Sequence, residues 1–185
     1  MKKKLDRIIV IDVESTCWDD KEEAKSNTSE IIQIGVAALD VNTLSIVQSS
    51  EFMVKPKFST VSPFCTKLTG ITQDDVDDGA SFQEALSSLV EEFEVFQRPW
   101  ASYGDYDRRQ FQHNCKLHGI PYPFGDRHIN VKTLIASAKG WPREEGMDVA
   151  MGFISMPLKG RHHRALDDAM NIANILAFVL HGVRE

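Results

Sequence analysis

Three runs of β-branched and aliphatic residues open the chain, at 8–14 (IIVIDVE), 31–39 (IIQIGVAAL) and 46–54 (IVQSSEFMV). Runs of this length and composition predict strands, and Val41-Asn42-Thr43 supplies a turn between the last two, so three sequential antiparallel strands are expected. The charged stretch 19–29 reads as a surface loop between the first pair. Beyond Pro56 the period lengthens. Ser62-Pro63 starts a short helical segment carrying Phe64 and Leu68, and Gly70 stops it. Phe82, Leu86, Leu89, Val90 and Phe93 keep helical spacing over about 81–97.

Trp100 to Tyr103 reads as a short strand and 106–118 as a helix. The proline-rich region 120–160 is harder to parse. A strand or short helix is expected near 129–138 and a helix near 147–155. A strongly periodic helix over about 165–181 closes the pattern. Strands first, then alternating helix and strand, predict an α/β fold with helices on the faces of a mixed sheet.

A length of 185 residues fits one domain, 1–185, and the 42% hydrophobic and 26% charged content is that of an ordinary globular chain. The net charge of −6 argues against a broad basic surface for polyanions, so any nucleic acid would be gripped locally. Cys17, Cys65 and Cys115 are scattered and odd in number, which favours a reducing cytoplasm over a disulfide framework. The apolar run Ile8 to Ile11 is cut by Asp12, so neither an export signal nor a membrane span is expected.

Asp12 changes more than that picture. Together with Glu14 it ends the first strand, and positions two apart leave the same face, about 6.6 Å apart along the strand. A second constellation is His162-His163-Arg164-Ala165-Leu166-Asp167-Asp168, which offers two overlapping His-x4-Asp pairs. Helical phase separates them: Asp168 falls in register with Ile172, Ile175 and Val179, whereas Asp167 aligns with Asn171 and Asn174 on a polar face. That makes Asp168 the inward acid and His163 its partner. In the third stretch, Gly104-Asp105-Tyr106-Asp107, Asp107 shares the helical face of Phe111 and Cys115, while Asp105 suits the N-cap and stands as the alternative ligand.

Asp12, Glu14, Asp107 and Asp168 form an all-oxygen set, which selects Mg²⁺ or Mn²⁺ over zinc. Two such ions clamp the attacking and leaving oxygens of a displacement at phosphorus. His163 is suited to accept a proton from the attacking water at neutral pH, and Arg161 and Arg164 to offset phosphate charge.

In their order and type these residues resemble the DEDDh group of DnaQ-like 3′-to-5′ exonucleases, whose motifs centre on Asp-x-Glu, on an aromatic-Asp at a helix start and on His-x4-Asp. A nearer resemblance is to Eri-type (enhanced RNA interference) 3′ exonuclease domains, through Ile11-Asp12-Val13-Glu14-Ser15-Thr16-Cys17, through 64–73 (FCTKLTGITQ) and through 166–173 (LDDAMNIA). It covers about residues 7 to 180. It implies an RNase H-like sheet of five strands flanked by helices, and release of nucleoside 5′-monophosphates from single-stranded RNA or DNA 3′ ends. It also implies that Thr16 meets the 3′-terminal nucleotide while Phe64 and Leu68 pack on its base or sugar. An aromatic platform suits sequence-tolerant binding of a single strand.

Two departures go with the resemblance. The length leaves no room for the extra nucleic-acid-binding domain of some relatives, and Gly104-Asp105-Tyr106-Asp107 holds one acid more than the usual motif. Two rival readings stay open: an inactive member that binds nucleic acid or protein, and a nuclease restricted to very short oligonucleotides.

Overall fold

The computed structural model describes residues 3–184. Its sheet is built around β1 (Arg7–Ser15), which pairs antiparallel with β2 (Ile31–Asp40), itself antiparallel to β3 (Ile46–Lys55). On the other side β1 pairs parallel with β5 (Trp100–Ser102), and β5 with β6 (His128–Asn130). The two-residue strand β4 (Ala80–Ser81) adds to β3, which makes the order β4-β3-β2-β1-β5-β6 and corrects the expected five strands to six. Ala80-Ser81 is too short for any periodicity to reveal.

The central strands are buried on both faces, as their unbroken aliphatic runs require. Ile9, Ile11 and Val13 pack with α4 (Phe82–Phe93) and with Phe111 and Cys115 of α5 (Tyr106–His118). Ile8 and Val10 point the opposite way. They join a second core under α6 (Val131–Lys139), α7 (Met147–Phe153) and α8 (Ala165–Arg184). A third, smaller cluster of Ile32, Cys65, Ile71 and Val76 ties α2 (Pro63–Thr69) and α3 (Gln73–Asp77) to the sheet.

Where the elements differ from expectation, short-range chemistry outweighs periodicity. The loop 19–29 contains α1 (Lys21–Ser26), which buries no residue and is started by the Asp20 carboxylate accepting from the Glu22 and Glu23 amides. With no apolar stripe, it left no periodic trace. The helix expected to reach residue 97 stops at Phe93, because Glu94 takes a left-handed conformation (φ 51°) and Arg98 donates to the Phe93 carbonyl at 2.9 Å. Residues 128–139 resolve into both a strand and a helix, joined where Asn130 caps the Thr133 amide. No helix among the described residues is long and apolar enough to cross a membrane.

Candidate active site

The face of β1 that carries Ile8 and Val10 under α8 continues as Asp12 and Glu14, beyond the point where the helices cover it. Asp12 lies opposite Gly35 of β2, and Glu14 opposite Gln33. Gly35 is the condition for what lies above them. A Cβ at that position would sit 2.0 Å from the carbonyl carbon of Ala165, so only glycine lets the first residue of α8 approach the sheet this closely. Gln33 fixes the approach: its Oε1 accepts the Ala165 amide at 3.0 Å.

The segment leading into α8 is held by side chains of the helix it precedes. Asp167 accepts the Arg161 amide at 2.8 Å, and Asn171 clasps Lys159 through both its amide oxygen and its amide nitrogen. Asn171 is fully buried, so the polar face shared by Asp167 and Asn171 is an anchoring surface. Asp168, 3% exposed, accepts the His163 amide at 2.8 Å and has His162 Nδ1 at 3.1 Å from Oδ2. His163 itself is left-handed (φ 64°), a conformation costly for a non-glycine residue, and its ring stacks on His162 with centroids 4.1 Å apart.

Asp107 enters from the first turn of α5, 3% exposed, where its Oδ1 accepts the Val13 amide at 3.0 Å. Asp105, by contrast, is partly exposed and paired with Arg108 at 3.1 Å, and makes no side-chain cap. Four acids therefore converge on one cleft of about 310 Å³, which His162, His163, Leu68 and Tyr106 also line.

Carboxylate oxygens of Asp12, Glu14 and Asp168 all lie within 4.8 Å of one another. Crowding and burial hold their protons on. Burial, then the charges of Asp107, Glu14 and Asp168, drives Asp12 well above the usual carboxylate range. Glu14 is pushed up to about 8, by burial first and the Asp168 charge second, and Asp107 to about 7, by burial against its own hydrogen bonds. Asp168 is also raised by burial, although its bonds to His162 and His163 oppose the rise. Burial and the neighbouring His162 charge lower His163, which keeps its imidazole neutral near pH 7.

Among the described residues no lysine or arginine forms a salt bridge with any of the four acids; their one close nitrogen neighbour on a titratable side chain is His162 Nδ1, 3.1 Å from Asp168 Oδ2. Buried carboxylates without counter-charges are costly, and divalent cations are the compensation that an all-oxygen set fits. The donor chemistry therefore suits a pair of hard divalent ions held by Asp12, Glu14, Asp107 and Asp168.

Thr16 is not in the cleft. It is fully buried, its hydroxyl accepts the Glu30 amide at 2.9 Å and lies 3.0 Å from Ser59 Oγ, so the wall at this point is made by Cys17. Phe64 is half-buried on α2 and does not line the cleft, whereas Leu68, one helical turn on, does. His162, Tyr103, Tyr106 and Met147 line it without having been singled out for it. Tyr106 carried a signal, as the aromatic beside Asp107. Met147 carried none, because α7 reaches the cleft only through tertiary packing.

Comparison with known proteins finds nucleases. The RNase_T family model, described as Exonuclease, matches residues 9–176. Human 3′-5′ exoribonuclease 1 is 30% identical over 185 residues, covering 95% of this chain and 52% of its own. The bovine ERI1 exoribonuclease 3 is 31% identical, covering 91% and 52%. The chain thus spans about half the length of these curated relatives. Among solved structures, the nuclease domain of 3′hExo, a DEDDh family member bound to rAMP, superposes with a TM-score of 0.89 at 28% identity, over 98% of this chain and 95% of that one. Cell-death related nuclease 4 (CRN-4) superposes at 0.82 with 25% identity, over 96% and 64%.

Proposed function

The chain belongs to the RNase_T exonuclease family, and on that premise we propose that it removes nucleotides one at a time from the 3′ end of a single-stranded RNA or DNA, releasing nucleoside 5′-monophosphates. The observation that carries the reading is the gathering of Asp12, Glu14 and Asp168 oxygens within 4.8 Å in an open cleft, with Asp107 beside them and, among the described residues, no lysine or arginine in a salt bridge with them. RNA is the favoured substrate, since the similar proteins are named exoribonucleases and a relative's nuclease domain holds rAMP.

Asp12, Glu14, Asp107 and Asp168 would hold two Mg²⁺ or Mn²⁺ ions. When bound, these supply the charge that stabilises an in-line displacement at phosphorus. His163, neutral and lining the same cleft, takes the proton of the attacking water. The Asp168 carboxylate fixes the backbone at His163, and His162 stacks against its ring. Leu68 and Tyr106 offer an apolar wall and an aromatic face for the terminal base or sugar. Thr16 acts one step back, fastening the Glu30 and Ser59 segments behind that wall, and Phe64 stands beside Leu68 on α2.

We read residues 1–185 as a single exonuclease domain, in keeping with a family match over 9–176, and the three free thiols as fitting a reducing compartment, the cytoplasm.

The test is a panel of end-labelled single-stranded, duplex and overhang oligonucleotides of RNA and DNA, with free and blocked 3′ ends, with Mg²⁺, Mn²⁺ or a chelator. Stepwise shortening from free 3′ ends, dependent on the metal and yielding 5′-monophosphates, is expected. Absence of metal-dependent shortening across the panel would leave the inactive binding reading in its place. Shortening of dimers alone would favour the short-oligonucleotide reading.

A further inference from the structure

Cys17 and Cys65 take no part in the chemistry above, yet they meet beside it. Cys17 follows β1 by two residues, is half-exposed and lines the cleft, whereas Cys65 is fully buried in α2. One hydroxyl ties their backbones together: Ser62 Oγ donates to the Cys17 carbonyl at 2.6 Å and accepts the Cys65 amide at 3.0 Å. The Cys65 thiol reaches the Ser15 carbonyl at 3.5 Å, and Cys17 packs against the cluster of Cys65, Ile32, Ile71 and Val76. The two side chains lie close enough for each thiol to perturb the other, and neither is in a disulfide.

We infer that Cys17 and Cys65 form a redox modification site, at which a peroxide converts the thiol pair to a disulfide and thereby slows the enzyme reversibly. The first peroxide oxygen adds to the Cys17 sulfur to give a sulfenic acid, while the second leaves as water. The Cys65 sulfur then attacks the Cys17 sulfur, the S–O bond breaks, the S–S bond forms and a second water departs. Two electrons pass from the sulfurs to the peroxide. Access sets this order: Cys17 meets the cleft, where a peroxide reaches it, whereas Cys65 is buried behind it and serves as the resolving thiol. Cys115 is the natural control, since it is buried in a different part of the core, away from Cys65 and the cleft.

The bridge would act on the site through two connections already present. Cys65 and Leu68 lie one turn apart on α2, so drawing the sulfurs together shifts a cleft wall. It also breaks the Cys65 bond to Ser15, the residue next to Glu14.

The bond itself is read independently of the exonuclease reading, while the slowing rests on it. Purified protein is treated with a small excess of hydrogen peroxide, alkylated, digested and mapped by mass. In parallel, Mn²⁺ affinity by calorimetry and oligonucleotide shortening are measured before and after dithiothreitol. Expected are a Cys17–Cys65 linked peptide with Cys115 still alkylated, and Mn²⁺ affinity and shortening rate each reduced about tenfold and restored by the reductant. Cys65→Ala and, separately, Cys17→Ser should each lose the response to peroxide. No linked peptide, or a linked peptide with both readouts unchanged, would overturn the inference. A bridged protein with weakened Mn²⁺ binding, from a preparation that never shortens any oligonucleotide, would instead uphold the site and refute the exonuclease reading.

Discussion

The hydrogen bond from the Val13 amide to Asp107 decides which acid of Gly104-Asp105-Tyr106-Asp107 faces β1, at 3.0 Å and out of solvent. Helical phase pointed to the same residue, because an acid sharing a face with Phe111 must be buried when that phenyl ring is. Phase was less informative before α8, where no helix constrains the side chains. His162 and His163 both reach the cleft, and the bond from His162 Nδ1 to Asp168 has no counterpart in a spacing rule. The roles of His163 and Asp168 separate in kinetics. Asp168→Ala should lower kcat at least about 100-fold and weaken Mn²⁺ binding with it, since even groups one step removed from a metal cost 10 to 100-fold. His163→Ala should lower kcat by about 10² to 10⁴ while Mn²⁺ affinity changes less than about threefold. Calorimetry beside single-turnover rates checks both, and equal loss of rate and affinity in His163→Ala contradicts its assignment as base.

Elements that carry a stripe of apolar residues were legible, and those defined by caps or close approach were not. The helix over 106–118 and the first three strands appear where periodicity put them, because burial on one or two faces writes itself into composition. Nothing comparable marks α3, a five-residue helix made by the reciprocal capping of Thr72 and Asp75. Nor does Gly35 look unusual inside an aliphatic strand, although β2 and α8 meet at its missing side chain. Gly35→Ala would drive a methyl group to 2.0 Å from the Ala165 backbone, which cannot rotate away as a side chain could. The expected cost is about 3 kcal/mol, the upper range for overpacking, with the N-terminus of α8 lifted off the sheet. Denaturant unfolding should show that loss. Shortening should fall about 100-fold, because Asp168 and His163 ride on the displaced segment. An unchanged unfolding midpoint would mean that the two elements are not held at this distance.

For the molecule as a whole, a net charge of −6 and a negatively charged ligand set oppose long-range attraction of a polyanion. Grip confined to bound ions and one or two arginines, as the proposed function has it, would give a shallow salt dependence. Between 50 and 200 mM salt the KM for a single-stranded 20-mer should rise about tenfold, as for about two phosphates neutralised, and a rise near 10³-fold would reveal a broad basic track.

The same concentration of acids sets the stability of the metal-free protein. Glu14 and Asp107, raised to about 8 and about 7, bind protons more tightly folded than unfolded. Their contribution is complete below about pH 4, where both states are protonated, and is lost as pH climbs through 7 to 8. His163 and His128, both lowered by burial, work in the opposite direction but depart less from their ordinary value. In EDTA the Tm should therefore fall by roughly 5 °C from pH 5 to pH 8, and Glu14→Gln should flatten that slope. Mn²⁺ at about 100 times its Kd should raise the Tm at pH 8 by roughly 5 to 10 °C, since binding at that excess adds about 2.7 kcal/mol. A metal-free Tm that climbs steadily from pH 5 to pH 8 would mean that the four carboxylates are not packed together in the folded chain.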